Sequence, residues 1–334
     1  IYTLKTNKGL NNMNTYWNKY PELLSDLKEV KAIMKNTIGH PSAFIRDPIF
    51  QMIDSGGKML RPAMLILSSK FGKYDPERVL PLAAAVELFH TATLIHDDII
   101  DDSKIRRNTK TIQSQFGKDV AVYSGDYIIA RSFMLIHEEY DQQMLRNLSK
   151  KIVQICTGEL KQYTHKYDSN ISVYDYIKIV AAKTAALFAM SMYTGARLGD
   201  LDEKTARLFG LAGLKIGIAY QIIDDCLDYC GTDDSILKSA RNDLKQGFYT
   251  LPLICALKND NDNTLKTLLD TTDFNDDDIL KIYHLVIDKN GITKAKEYAM
   301  RYTQKAYAAL ERLPECNSRT ILKDITHSLL ERKY

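Results

Sequence analysis

Two aspartate triplets stand inside two of the most apolar stretches of this chain. The first, LIHDDIIDDSKIRR, sets Asp97, Asp98 and Asp101 in the pattern D-D-x-x-D, and the second, QIIDDCLDY, sets Asp224, Asp225 and Asp228 in the same pattern. On a helix, positions i, i+1 and i+4 fall on one side, so each triplet is expected to project its carboxylates together. Taken alone, such a triplet reads as a solvated acidic face. The flanks argue otherwise, because Leu94, Ile95, Ile99 and Ile100 surround the first and Ile222, Ile223, Cys226 and Leu227 the second. Carboxylates set among apolar side chains are rarely left without a partner. Like charges this close repel unless a cation lies between them. Hard divalent cations such as Mg2+ take oxygen ligands, commonly a few carboxylates plus phosphate. Two such clusters facing each other would make a magnesium–diphosphate clamp.

The chain around the triplets has helical periodicity. Residues 81–100 and 205–229 are apolar nearly all round, which marks them as central, and 145–165, 172–198 and 292–312 are amphipathic. The 8 prolines fall in stretches such as RDPIF, LRPAM, YDPER and LPLAA that read as turns. No strong strand alternation appears, so the expected class is all-α. The polar, acidic stretch 258–278 reads as a surface loop holding a short helix. Too few helices follow it to bury a second core, so residues 1–334 are expected to form one domain with a flexible 1–20. A hydrophobic fraction of 45% supports a large core.

A net charge of +3 gives no electrostatic case for nucleic acid, and no basic stripe or stacking platform is visible. The five cysteines include no C-x-x-C pair and read as free thiols of a reducing compartment. No apolar run is expected to be of membrane-spanning length. The first residues, IYTLKTNKGLNNMNTYW, lack the apolar centre of a secretion signal. A cytoplasmic location is therefore the expectation, with the mitochondrial matrix or another organelle as the alternative.

Basic residues complete the pattern. GGKMLRP places Lys58 and Arg61 three apart behind two glycines, an arrangement able to hold a phosphate from several directions. Arg106 and Arg107 follow the first triplet. Adjacent arginines cannot share a helix face, and guanidinium suits bidentate phosphate contact. Each element alone is weak: the arginine pair could be a solvated turn, and His90 a buried core histidine. Their order is more telling. GGKMLRP, ELFHTATLIHDDIIDD, RR, GDYIIA, GELKQ, Lys183-Thr184, QIIDDCLDY and DLKQG-x-x-TLP follow one another over about residues 50–255. Together they resemble the trans-isoprenyl diphosphate synthases, also called polyprenyl synthetases.

That resemblance implies a bundle of antiparallel helices around a central apolar cavity, and a reaction that joins isopentenyl diphosphate to an allylic diphosphate through an allylic carbocation. It implies Asp97 and Asp101 as ligands of two Mg2+ ions, with Asp98 close behind, and Asp224 as ligand of a third, supported by Asp225 and Asp228. Arg106, Lys183 and Lys238 would hold the allylic diphosphate. Lys58, Arg61, His90 and Arg107 would hold that of isopentenyl diphosphate, which gives His90 a function, whereas His96 keeps a structural reading. Thr184 and Gln221 would line the reacting region, with Gln162 on the wall.

Product length is expected to depend on the floor below the first triplet. Ala92 and Thr93, five and four positions before Asp97, are small, and the next barrier is Phe89, about 12 Å deeper than Asp97 at the rise of a helix. A long-chain product follows, of a kind that suits quinone side chains. The alternative is that another helix sets the floor. One departure stands out: where the family pattern has lysine, this chain has Phe248, and Arg241 and Asn242 replace Gly-Asp. Both triplets are intact, so activity is still expected, alone as a homodimer or with a small partner subunit. The greasy product would be released to a membrane or carrier. A terpene cyclase, a non-catalytic regulatory subunit and a metal-dependent nucleic-acid enzyme fit the motifs less well.

Overall fold

A computed structural model describes residues 13, 16–39, 42–55, 57–107, 109–136, 142–229 and 243–330. Lys238, Arg241 and Asn242 lie outside the described residues. The described chain is helical apart from one small ribbon, as the periodicity demands. Its contacts divide it into two compact units: residues 1–145 with 191–206, and residues 146–190 with 207–334.

In the first unit, α1 (Pro21–Ile38), α2 (Ala43–Asp54), α3 (Leu60–Ser69) and α4 (Pro76–Ile100) precede a two-stranded antiparallel ribbon, β1 (Ile105–Arg106) and β2 (Thr109–Lys110), in which Arg106 pairs with Thr109. The short α5 (Ile112–Phe116) and then α6 (Lys118–Phe133) follow. Helix α4 is the axis, packed by α1, α3 and α6. Asp75 caps it by accepting from the Glu77 N–H at 3.0 Å, and Pro76 opens its first turn. Three prolines read as turn markers lie in helices instead: Pro62 in the first turn of α3, Pro48 inside α2 and Pro81 inside α4. Apolar packing overrides the local preference there. Within the stretch expected to be loose, Trp17 is fully buried, and its indole N–H donates to the Lys58 carbonyl at 2.6 Å.

The second unit takes most of α7 (Gln142–Thr164), then α8 (Val173–Val180), a five-residue π-helical segment (Ala181–Ala185) and the start of α9 (Ala186–Leu198). It continues with α10 (Glu203–Leu227), α11 (Leu251–Lys258), α12 (Thr264–Leu268), α13 (Asp276–Asp288), α14 (Gly291–Glu311) and α15 (Asn317–Leu330). Residues Leu251 to Ala256 of α11 are all buried and form the centre, against α13 and α14. The polar 258–278 stretch is more than a surface loop. Leu265, Leu269 and Phe274 drive into the core between exposed acids and asparagines. An asparagine capping box at Asn275 and Asp278 then starts α13.

One expectation is corrected. Three helical spans, Pro76–Ile100, Val173–Leu198 and Glu203–Leu227, are long and apolar enough to cross a membrane. Their apolar windows are 72%, 72% and 50% buried within the protein, so core packing accounts for much of that apolarity.

Candidate active site

The first triplet closes α4. Asp97 and Asp101 are half-buried, but Asp98 is 4% exposed. The middle carboxylate is tied down. It accepts from Arg106 Nε at 2.8 Å, and the Asp98 backbone carbonyl takes the Ser103 N–H at 2.9 Å. Burial raises the Asp98 pKa and the Arg106 charge opposes the rise. Asp98 therefore tethers the ribbon to the helix. Arg107, next along, has a left-handed φ of 51°. Arg107 packs on Gly57: a Cβ there would lie 2.9 Å from its terminal nitrogen, so the glycine before Lys58 makes room for a cation. The ribbon and α2 enclose an open groove of about 390 Å³, lined in part by Asp98, Arg106, Arg107, Lys110 and Gln51.

His90 sits two turns before Asp98 on α4. Burial, then the charges of Arg61, Arg107 and Arg106, hold its imidazole well below the usual range, so it is neutral. Glu87, one turn earlier, feels Arg61 and Arg107 as well, although burial raises its pKa. One of its oxygens is buried without a hydrogen-bond partner among the described residues. Arg61, Arg106 and Arg107 thus act together on His90, and Arg61 and Arg107 on Glu87, in one electropositive patch of the first unit. The Lys58 ammonium stands 4.6 Å from the Tyr16 ring. Along α4, Thr93 is half-buried and in line with Asp97, Phe89 is 7% exposed, and Ala92 has no exposed surface. His96 packs against α6 beside Asp126, 3.4 Å away.

The second triplet closes α10 in the same way. Asp224 and Asp228 are half-buried and Asp225 is 5% exposed. Asp225 accepts from the Tyr176 hydroxyl at 2.5 Å, from Gln221 Nε2 at 2.8 Å and from the Leu251 N–H at the start of α11. Burial pushes it up to about 6. Asp228 is pushed up to about 7, by burial first and then by the charges of Asp225 and Asp224. Gln221 is fixed from its other side, where its carbonyl oxygen accepts from Thr184 at 2.9 Å. Thr184 and Lys183 occupy the π-helical segment, a distortion that re-aims side chains and often marks functional positions. The Lys183 ammonium donates to Gln162 at 3.0 Å and pairs with Glu159 at 2.8 Å, both from the GELKQ segment of α7.

Among the described residues no three His, Cys, Asp or Glu side chains converge as a ready metal cage. The donors nevertheless suit a hard cation. They are all carboxylate oxygens, and Asp224, Asp225 and Asp228 lie close enough for the first two to raise the pKa of the third, after burial. Sequence reasoning missed Glu87, Glu159 and Tyr176. Glu87 had a signal, a charge on an apolar helix one turn from His90. Tyr176 had none, being 49 positions from its partner.

The family model described as polyprenyl synthetase matches residues 42–286. The chain belongs to this family. Polyprenyl synthetases are prenyltransferases that act on prenyl diphosphates and use Mg2+. This polyprenyl synthetase is 32% identical over 316 residues to heptaprenyl diphosphate synthase component 2 of Bacillus subtilis (strain 168), covering 94% of this chain and 90% of that protein. A geranylgeranyl pyrophosphate synthase structure from Lactobacillus brevis ATCC 367 has a TM-score of 0.91 at 33% identity, over 96% of this chain and 100% of the other. A polyprenyl synthase from Caulobacter crescentus CB15, complexed with calcium and isoprenyl diphosphate, has a TM-score of 0.87 at 29% identity, over 98% and 100%.

Proposed function

We propose that this polyprenyl synthetase makes a long-chain trans-polyprenyl diphosphate, joining isopentenyl diphosphate head to tail onto an allylic diphosphate such as farnesyl or geranylgeranyl diphosphate. The observation that carries the reading is the common build of the two triplets. Each has one carboxylate buried and tied down, Asp98 by Arg106 and Asp225 by Tyr176 and Gln221, between two half-buried ones. Asp97, Asp101, Asp224 and Asp228 are then the residues that hold Mg2+, three ions with the allylic diphosphate bound. Bound Mg2+ neutralises charge on a departing diphosphate.

Arg106, Lys183 and Lys238 bind the allylic diphosphate, and Lys58, Arg61, His90 and Arg107 bind that of isopentenyl diphosphate. These cations stabilise charge that grows as the allylic C–O bond breaks and its electron pair passes to the diphosphate. The isopentenyl double bond attacks the cation, and a proton leaves to the released diphosphate. Neutral His90 orients a phosphate oxygen and carries no charge of its own to the step. An apolar cavity keeps water from the carbocation.

Thr93, small and in line with Asp97, leaves the tail a path toward Phe89. The Bacillus subtilis relative supports a long product, and its name, component 2, supports a partner subunit. The Lactobacillus brevis structure favours a shorter, geranylgeranyl product as the second reading. Exposed apolar residues, Tyr123 and Phe133 on α6, Met134 just after it, and Val153 and Leu160 on α7, support association with another chain, a second copy by default. Release of the product is to a membrane or carrier.

The test incubates the purified chain with Mg2+, labelled isopentenyl diphosphate and farnesyl diphosphate and resolves product length. Products well beyond geranylgeranyl are expected. Products ending there would favour the second reading, and no product without an added partner would make this a subunit of a two-component enzyme.

A further inference from the structure

We infer that Lys166 is a further diphosphate-binding cation beside the second triplet, an inference that rests on the proposed reaction and adds a residue to it. Lys166 follows the end of α7, in the turn after Thr164. Its ammonium stands 4.8 Å from the centroid of the Tyr163 ring and 4.8 Å from that of Phe248. Two aromatic faces hold the cation in place without neutralising it, since a ring offers a quadrupole and no countercharge. Among the described residues its ammonium has no carboxylate in reach. The nearest acid in sequence, Asp168, is occupied by His165 Nδ1 at 2.9 Å and by the Asn170 N–H at 2.9 Å.

The segment carrying Phe248 is fixed against this turn. The Tyr167 N–H donates to the Gly247 carbonyl at 2.8 Å, and the Tyr167 hydroxyl donates to the Lys245 carbonyl at 2.6 Å. Gly247 has a φ of 77°, and a Cβ on it would sit 2.6 Å from the Tyr167 ring, so only glycine fits. Phe248 is in turn three residues ahead of Leu251, whose N–H donates to Asp225. Three residues of chain reach at most about 10 Å. One short piece of backbone therefore touches the clasped Lys166 ammonium through the Phe248 ring at one end and the anchored Asp225 carboxylate through the Leu251 N–H at the other.

An anion bound by Mg2+ at that triplet would find in Lys166 a preorganised partner that no carboxylate among the described residues neutralises. The anion class is a diphosphate, that of the allylic substrate or the inorganic pyrophosphate it releases. Phe248, a departure from the family pattern, acquires a role as half of the clasp for a cation supplied from another segment.

The test is calorimetric binding of inorganic pyrophosphate in the presence of Mg2+ to the wild type, Lys166→Met and Lys166→Arg, with steady-state kinetics on the same preparations. Lys166→Met is expected to weaken pyrophosphate binding about tenfold, the scale of one charge-assisted contact. It should raise KM for farnesyl diphosphate similarly and leave KM for isopentenyl diphosphate and the unfolding midpoint unchanged, with Lys166→Arg restoring most of the loss. Pyrophosphate affinity within twofold of wild type in Lys166→Met overturns the inference, as does an equal rise in both KM values with a lowered unfolding midpoint. A wild type that binds pyrophosphate through Lys166 yet forms no prenyl product, alone or with an added partner subunit, sinks the proposed reaction and leaves Lys166 as a pyrophosphate-binding residue.

Discussion

Replacing Tyr176 with phenylalanine deletes one oxygen and leaves the ring that fills its place in the core, so no cavity is opened. What is lost is the 2.5 Å bond to Asp225, a carboxylate only 5% exposed. Gln221 at 2.8 Å and the Leu251 N–H remain, so the carboxylate is weakened in its setting rather than abandoned. A hydrogen bond to a charged group contributes about 1.5–3 kcal/mol, and the buried acceptor has no water to turn to. A loss of about 2 kcal/mol at pH 8 is therefore expected. It would be read by urea denaturation in a chelating buffer, at equal protein concentration and with the urea dependence unchanged. Tyr176→Phe should also weaken Mg2+-dependent pyrophosphate binding, because Asp225 is the fixed member of its triplet. A change below about 0.5 kcal/mol would refute the claim that Tyr176 anchors Asp225.

His90 gives a pH prediction. Its folded pKa lies well below 6.5, so between that value and 6.5 the unfolded chain binds a proton that the folded chain does not. Stability should therefore fall as pH drops below 6.5, by up to about 1.4 kcal/mol per unit, and His90→Gln should remove that part of the slope in denaturation curves from pH 7.5 to 5. Gly57→Ala should leave stability within about 0.5 kcal/mol, because the atom it meets is the tip of the flexible Arg107 side chain, yet raise KM for isopentenyl diphosphate severalfold by displacing that tip. Thr93→Phe should shorten the product in chain-length analysis, and an unchanged product would put the floor on another helix. Ala92→Phe is the poorer probe, since Ala92 has no exposed surface and the ring would cost about 1–3 kcal/mol of overpacking.

The helices around both triplets were legible because their apolar periodicity is local, and α4 and α10 begin and end within a few residues of the expected bounds. The motif order named the candidate residues. Sequence spacing did not show that the middle carboxylate of each triplet is tied down. Helical geometry puts i, i+1 and i+4 on one side, but Arg106 and Tyr176 each claim the middle member, and neither partner is visible from a one-helix view. The π-helical segment under Lys183 and Thr184 was equally hidden, since AAKTA carries no breaker and reads as ordinary helix. The apolar anchors of residues 258–278 went unseen for another reason: Leu265, Leu269 and Phe274 are too sparse to outweigh their polar neighbours in any average over the stretch.

The indole of Trp17 holds the carbonyl of Lys58, and the ring of Tyr16 stands under its ammonium. Two residues ahead of α1 thus act as a clamp on the Lys58 segment, more than forty positions away. A chain trimmed at residue 20 would keep the helices and both acidic triplets, and would pass by circular dichroism as intact. Without the fully buried Trp17 it would unfold at a lower midpoint and demand more isopentenyl diphosphate, so where an expression tag or a cleavage site is placed becomes a choice about stability and substrate affinity together.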